Sequence, residues 1–307
     1  SKFYKRTPLS SLMKRKVVSQ GPSSMMVSLP IKWVKEFGIK KGDEVDISEV
    51  GQELLISSNK RKTGNKIIIN LESDNPLYVY RHLQAVYVNG YDEVEFKYSS
   101  TKIANILQEY TTGSFIGFEL ISQDNESCII KSLSTEKEEE FEIILKRVFQ
   151  GILQMDELFY NFLRKKNNSI DLILNLEKIN NRQTMYLQRI ISKGKVGGEF
   201  LYAMSIFLEK LANEYKFIIH NNAHNEKVGK KILKYYSRLH NQMENIYDVF
   251  TNYDSKAVAK IVLEDIRVEE FRVLFKENYY LTYAFMKITD LLRSLLFQIV
   301  KLEFVKK

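Results

Sequence analysis

The residues best placed to do chemistry lie near the start of the chain. Residues 1–62 carry thirteen lysines and arginines against six aspartates and glutamates, while the rest of the chain carries thirty-three against thirty-two. No acidic residue precedes Glu36. Lys14, Arg15 and Lys16 form a run, Ser19, Ser23 and Ser24 surround a Gly-Pro pair, and Lys32 and Lys35 follow. Cationic side chains displace counterions from a phosphate backbone, and hydroxyls and backbone N–H groups donate to phosphate oxygens. That set fits DNA; a solvated basic tail is the alternative for a charge run taken alone. Other constellations are weaker. His220 and His224 have the i, i+4 spacing of a metal half-site, but no Glu follows His220 and no Cys lies near, so the pair reads as a polar helix end. His82 and His240 stand isolated, and the single Cys128 excludes an internal disulfide or a multi-cysteine metal site. No nucleophile motif or glycine-rich phosphate loop occurs, so no enzyme is expected.

The basic residues need elements to hold them. Residues 14–20 read as a strand, so alternate members of Lys14–Arg15–Lys16 face outward. Gly21-Pro22-Ser23-Ser24 reads as a turn and residues 25–29 as the returning strand. Pro30 suits the first position of a short helix with Ile31, Val34 and Phe37 on one face and Trp33 beside them, stopped by Gly38. Lys41-Gly42-Asp43 turns into a hairpin of residues 44–50 and 53–56. A unit this small cannot bury enough apolar surface alone, which predicts a partner copy. The motifs Ser19-x-Gly21, Val27-Ser28-Leu29-Pro30-x-x-Trp33, Phe37-Gly38-Ile39-Lys40-x-Gly42-Asp43-x-Val45 and Glu53-Leu54-Leu55-Ile56 resemble the AbrB/SpoVT–MazE swapped-hairpin domain over residues 13–58. The resemblance implies a dimer interleaving its hairpins into one small barrel, and DNA binding through basic residues on the exposed arms; some members are antitoxins.

Residues 63–134 read as a small α+β sandwich: strands at 66–71 and 93–97, helices at 75–89 and 100–112, and a hairpin of 115–122 with 127–133. It carries no catalytic constellation, and a spacer or dimerisation unit is the default over a ligand sensor.

All four prolines fall in the first quarter, so nothing after Pro76 must interrupt a helix. Thr135-x-x-Glu138 reads as a capping box, and Ile144, Val148, Ile152, Met155, Phe159 and Phe162 follow at helical spacing. Breaks at 166–168, 194–198, 221–225, 251–254 and near Asn278 divide residues 135–307 into six helices. Met155-Asp156 is echoed by Met243-Glu244, and Leu208-Glu209 through Asn213 by Phe285-Met286 through Asp290. With Glu177-x-x-x-Asn181-Arg182-x-x-x-Tyr186-Leu187-x-Arg189, these echoes resemble the PhoU family over about residues 140–300. That family is a tandem three-helix bundle regulating phosphate uptake, and the AbrB-like plus PhoU-like arrangement resembles archaeal regulators. PhoU-type proteins can hold metal clusters on paired carboxylates. Here the weak candidates Glu177, Glu209 and Asp290 have Asn181, Asn213 and Met286 as partners, and a neutral amide is a poor ligand. No cofactor is expected; Glu177, Glu209 and Asp290 are expected to pair with Lys or Arg of neighbouring helices.

The whole is thus expected to be a multidomain α+β chain: a swapped-hairpin barrel (1–62), a small α+β sandwich (63–134) and a PhoU-like all-α domain (135–307). The longest apolar run, 291–300, contains Arg293 and Gln298, which excludes membrane insertion; no signal peptide is evident, and a cytoplasmic location follows. The expected function is a homodimeric DNA-binding transcription regulator linked to phosphate uptake or signalling. The alternative is a PhoU-type adaptor that dimerises through its hairpins and docks on a phosphate transporter or signalling kinase without binding DNA.

Overall fold

The computed structural model describes residues 14–21, 24–50, 53–58, 65–134, 136–165, 170–194, 196, 198–221, 228–264 and 268–305. The chain is a multidomain α+β protein with two compact units, Ser1–Gly64 and Asn65–Lys307.

The first unit has two hairpins and a short helix. Strands β1 (Val18–Ser19) and β2 (Met25–Met26) pair antiparallel, Val18 opposite Met26. Helix α1 (Ile31–Glu36) begins after Pro30, which sits at the N-cap and not, as expected, inside the first turn. Gly38 has φ 60°, and the bond from Ile39 N–H to the Val34 carbonyl closes the helix end. Asp43 N–H bonds the Lys40 carbonyl at 3.0 Å, and Gly42 at φ 93° supplies the left-handed residue of that turn. Strands β3 (Val45–Val50) and β4 (Glu53–Ser58) form the second hairpin, Ile47 opposite Ile56. The expected strand at 14–20 shrinks to two residues: Lys14, Arg15 and Lys16 precede it without regular structure, so the alternating-face argument does not apply to them. No described residue of this unit is buried.

The second unit opens with a mixed sheet. Strand β5 (Lys66–Leu71), helix α2 (Pro76–Val88) and strand β6 (Glu93–Tyr98) form a parallel βαβ unit; helix α3 (Thr101–Ser114) then leads to the hairpin β7 (Phe118–Gln123) and β8 (Ser127–Ser132). The order is β5-β6-β8-β7. Asn75 caps α2, its Oδ1 accepting from Leu77 and Tyr78 N–H, directly before Pro76. Strand alternation puts Val94, Phe96, Cys128 and Ile130 in the core with Leu83, Tyr87 and Leu107. Glu93 points to the other face and pairs with Lys66 at 3.0 Å and Lys131 at 2.9 Å.

Seven helices follow among the described residues: α4 (Glu139–Leu163), α5 (Ile170–Ser192), α6 (Glu199–His220), α7 (Lys230–Thr251), α8 (Ser255–Leu263), α9 (Val268–Phe275) and α10 (Tyr279–Val305). Six were expected; two short helices, α8 and α9, replace the fifth. Asp254 caps α8, and Asn278 Oδ1 accepts from Leu281 N–H at 2.9 Å at the start of α10. The capping residue Thr135 lies outside the described residues. The sheet and the helices are continuous within one unit, joined at Arg189. That guanidinium is fully buried, bonding Glu136 at 2.5 Å, the Tyr87 and Tyr91 carbonyls at 2.9 and 2.8 Å, and Asp92 at 3.2 Å. It also lies 5.0 Å from the centroids of the Tyr87 and Phe118 rings. Lys193 bonds both Asp92 and Glu136. Among the described residues, no helix is long and apolar enough to cross a membrane.

Candidate nucleic-acid interface

The basic side chains of the first unit are all at the surface. Lys14, Arg15, Lys16, Lys32, Lys35, Lys40 and Lys41 are exposed, with Glu36 the one acidic residue among the described residues up to Lys41. Acids then take over: Asp43, Glu44, Asp46 and Glu49 are exposed on or beside β3. Charge is therefore split along the chain, cations on the β1 and α1 segments and anions on the second hairpin. Lys40 and Lys41 belong to the cationic set, although they stood outside the residues singled out above. The signal was present, as they adjoin the Gly42 turn.

The serines behave differently from the lysines. Ser19 Oγ donates to the Gly21 carbonyl at 3.1 Å, and Ser24 Oγ donates to the Gln20 carbonyl. Both protons close the turn between β1 and β2, which leaves lone pairs, not donors, facing outward. Ser23 lies outside the described residues.

Apolar side chains on the same unit are uncovered. Val17, Val18, Met25, Val27, Ile31, Ile47 and Leu54 are all exposed, Met25 at 74% and Leu54 at 67%. Trp33 and Phe37, 5.5 Å apart between ring centroids, are half-buried. With these side chains exposed, the described part of the unit has little apolar burial of its own.

The three carboxylates singled out in the second unit have different surroundings. Glu177, 1% exposed, accepts from Lys216 Nζ at 3.0 Å and from Asn181 Nδ2 at 2.7 Å, and Asn181 Nδ2 also reaches Asn213 Oδ1 at 3.1 Å. Glu177 thus pairs with a lysine of the next helix, as expected. Glu209 does not: the group it accepts from is Gln188, at 3.4 Å, and burial pushes its carboxyl above the usual range. Asp290 is exposed on α10 and does not line the cavity shared by Glu177 and Glu209, so the three do not form one set. Among the described residues no three His, Cys, Asp or Glu side chains converge on a metal position. His224 lies outside the described residues, and His220 is an exposed helix end.

One constellation escaped the sequence entirely. Asp156 on α4, 1% exposed, accepts from Tyr215 on α6 at 2.7 Å, from Tyr236 on α7 at 2.5 Å and from His240 Nδ1. His240 is therefore not isolated. Its partner sits eighty-four residues away, and no local pattern announces it. The Met155-Asp156 and Met243-Glu244 echo also divides here: both methionines are buried, but Asp156 is core and Glu244 is surface.

Residues 18–69 match the family model described as "Antidote-toxin recognition MazE, bacterial antitoxin". The match runs from β1 into β5 and covers both hairpins. No curated protein and no solved structure matches the chain.

Proposed function

We propose that this chain is a homodimeric DNA-binding transcription regulator, with Lys14, Arg15, Lys16, Lys32 and Lys35 as its phosphate contacts. The observation that carries the reading is the coincidence, on one small unit with no buried residue among the described ones, of seven exposed cations and exposed apolar side chains. Pairing two copies would cover the apolar side chains and double the cationic surface on a two-fold axis, which suits a two-fold DNA site. The MazE-type family match over 18–69 supports a regulator of this kind. The reading includes a cytoplasmic location, no catalytic activity and no resident cofactor.

The link to phosphate uptake rests on the PhoU resemblance of the helices alone. Mapping the protein on its genome with and without phosphate starvation tests it; occupancy indifferent to phosphate rejects the link and leaves the DNA reading standing. An antitoxin role is the second reading, favoured by the description of the matching family. Binding of a labelled duplex by the full chain, compared with the K14A/R15A/K16A variant, tests the preferred one. Capture of a toxin-like partner with no DNA binding favours the second.

A further inference from the structure

The second unit contains a cavity of about 850 Å³ between α2, α3, α5 and α6, within the 300–1,000 Å³ that small-molecule sites occupy. Its polar groups are poorly matched to one another. Tyr80 Oη and the Gln84 amide both donate to the sulfur of Met185, at 3.7 and 3.6 Å, a weak acceptor for two good donors. Burial pushes the Tyr80 phenol up to about 12, so it is an O–H donor at neutral pH. Arg81, exposed at the cavity's edge, holds Gln84 Oε1 at 2.9 Å and so turns that amide's N–H groups toward Met185.

Across the cavity the mismatch is reversed. Asn181 Oδ1 is buried and receives no hydrogen bond from any described residue. Glu209 has no cation within ion-pair distance among the described residues, whereas neighbouring Glu177 is neutralised by Lys216. An under-donated carboxylate on one side, and under-used donors beside a guanidinium on the other, define a site with two poles. Each pole lacks what a zwitterion supplies.

We propose that this cavity binds a small amino-carboxylate, an α-amino acid or a close analogue, with its ammonium at Glu209 and its carboxylate at Arg81, Gln84 and Tyr80. Tyr110, whose ring lies 4.9 Å from that of Tyr80, and Leu77 give the wall against which an apolar side chain packs. The site joins the sheet layer to the helices, so an occupant ties α2 to α5 and α6. It is independent of the DNA reading, and its test reads binding alone.

The experiment is thermal unfolding of the full chain with each common L-amino acid in turn at about 10 mM, because a ligand that binds only the folded state raises the midpoint. The expected result is a rise of about 3 °C or more with at least one amino acid. Its N-acetylated form and its decarboxylated amine should give none. Glu209→Gln and, at the exposed edge, Arg81→Gln should each abolish the rise. No response to any amino acid overturns the proposal. So does a rise that survives both substitutions, an equal rise with the amine or the acetylated form, or a response to Mn²⁺ or Zn²⁺ without one to amino acids.

Discussion

Replacing Arg189 by methionine keeps the bulk of the side chain and removes its charge and all its donors. In the native chain those donors satisfy Glu136, itself 2% exposed, the carbonyls of Tyr87 and Tyr91, and Asp92. The variant strands a buried carboxylate with Lys193 alone and takes a donor from two carbonyls, of which that of Tyr87 keeps the Gly90 N–H at 3.0 Å. Breaking a buried pair from one side costs about 3–5 kcal/mol, and the Tyr91 carbonyl also loses its donor, so about 4 kcal/mol is the expectation. Against a total stability of about 5–15 kcal/mol this is a large fraction. With a urea slope of about 3 kcal/mol/M, the midpoint followed by circular dichroism should fall by about 1.3 M. R189M/E136L, which removes both charges, should recover at least half of that loss. Glu136 adds a pH signature. Burial alone would raise its carboxyl, but the Lys193 bond and the Arg189 charge outweigh it and hold it below the ordinary 4.5. Its folded value being depressed, its stabilisation is present above 4.5 and lost as pH falls through the folded value. A midpoint shift below about 0.3 M for R189M, or no recovery in the double variant, would refute the view that this residue joins sheet to helices.

Other expectations follow from the same geometry. The Asp156 hydrogen bond raises His240 above its ordinary 6.5 against the opposing effect of burial, helped by the charges of Asp156, Glu244 and Glu157. A raised folded value means stabilisation fully present below 6.5 and lost as pH rises through the folded value. Wild type should therefore exceed His240→Gln in urea midpoint by more at pH 6 than at pH 9; an advantage independent of pH would discredit the pairing. In the first unit, I47K/L54K places charge on side chains 61% and 67% exposed in a single chain. Sedimentation should show the variant as a monomer where wild type is a dimer, and an unchanged dimer would show that these side chains lie outside the interface.

Legibility in the sequence varied with the range of the interaction. The sheet layer was readable almost residue for residue, because Asn75, Pro76 and Gly90 mark α2 and because Val94 and Phe96 alternate with charge. The first unit was harder: the apolar residues at 14–20 and 25–29 suggested longer strands, yet β1 and β2 pair over two residues each, having no buried face to extend them. The break between α8 and α9 carries no proline or glycine, so nothing local foretold it. Arg189 and Asp156 stood in motifs quoted from the sequence, but nothing local marked either as a buried charge. Their partners lie 53 to 102 and 59 to 84 residues away, and burial of a charge is decided by such partners, not by spacing. The cavity's mismatch between Tyr80, Gln84 and Glu209 is equally a tertiary fact.

The most direct test of DNA binding by the first unit is affinity for a labelled duplex across a salt series. Three cations, Lys14, Arg15 and Lys16, in each of two copies amount to about six phosphate contacts, or a slope of log K on log salt steeper by about 5 than without them. Wild type should lose affinity steeply with salt, and K14A/R15A/K16A should bind weakly with a slope flatter by about that amount. No binding by wild type at low salt, or a slope that the substitutions leave unchanged, would contradict the account.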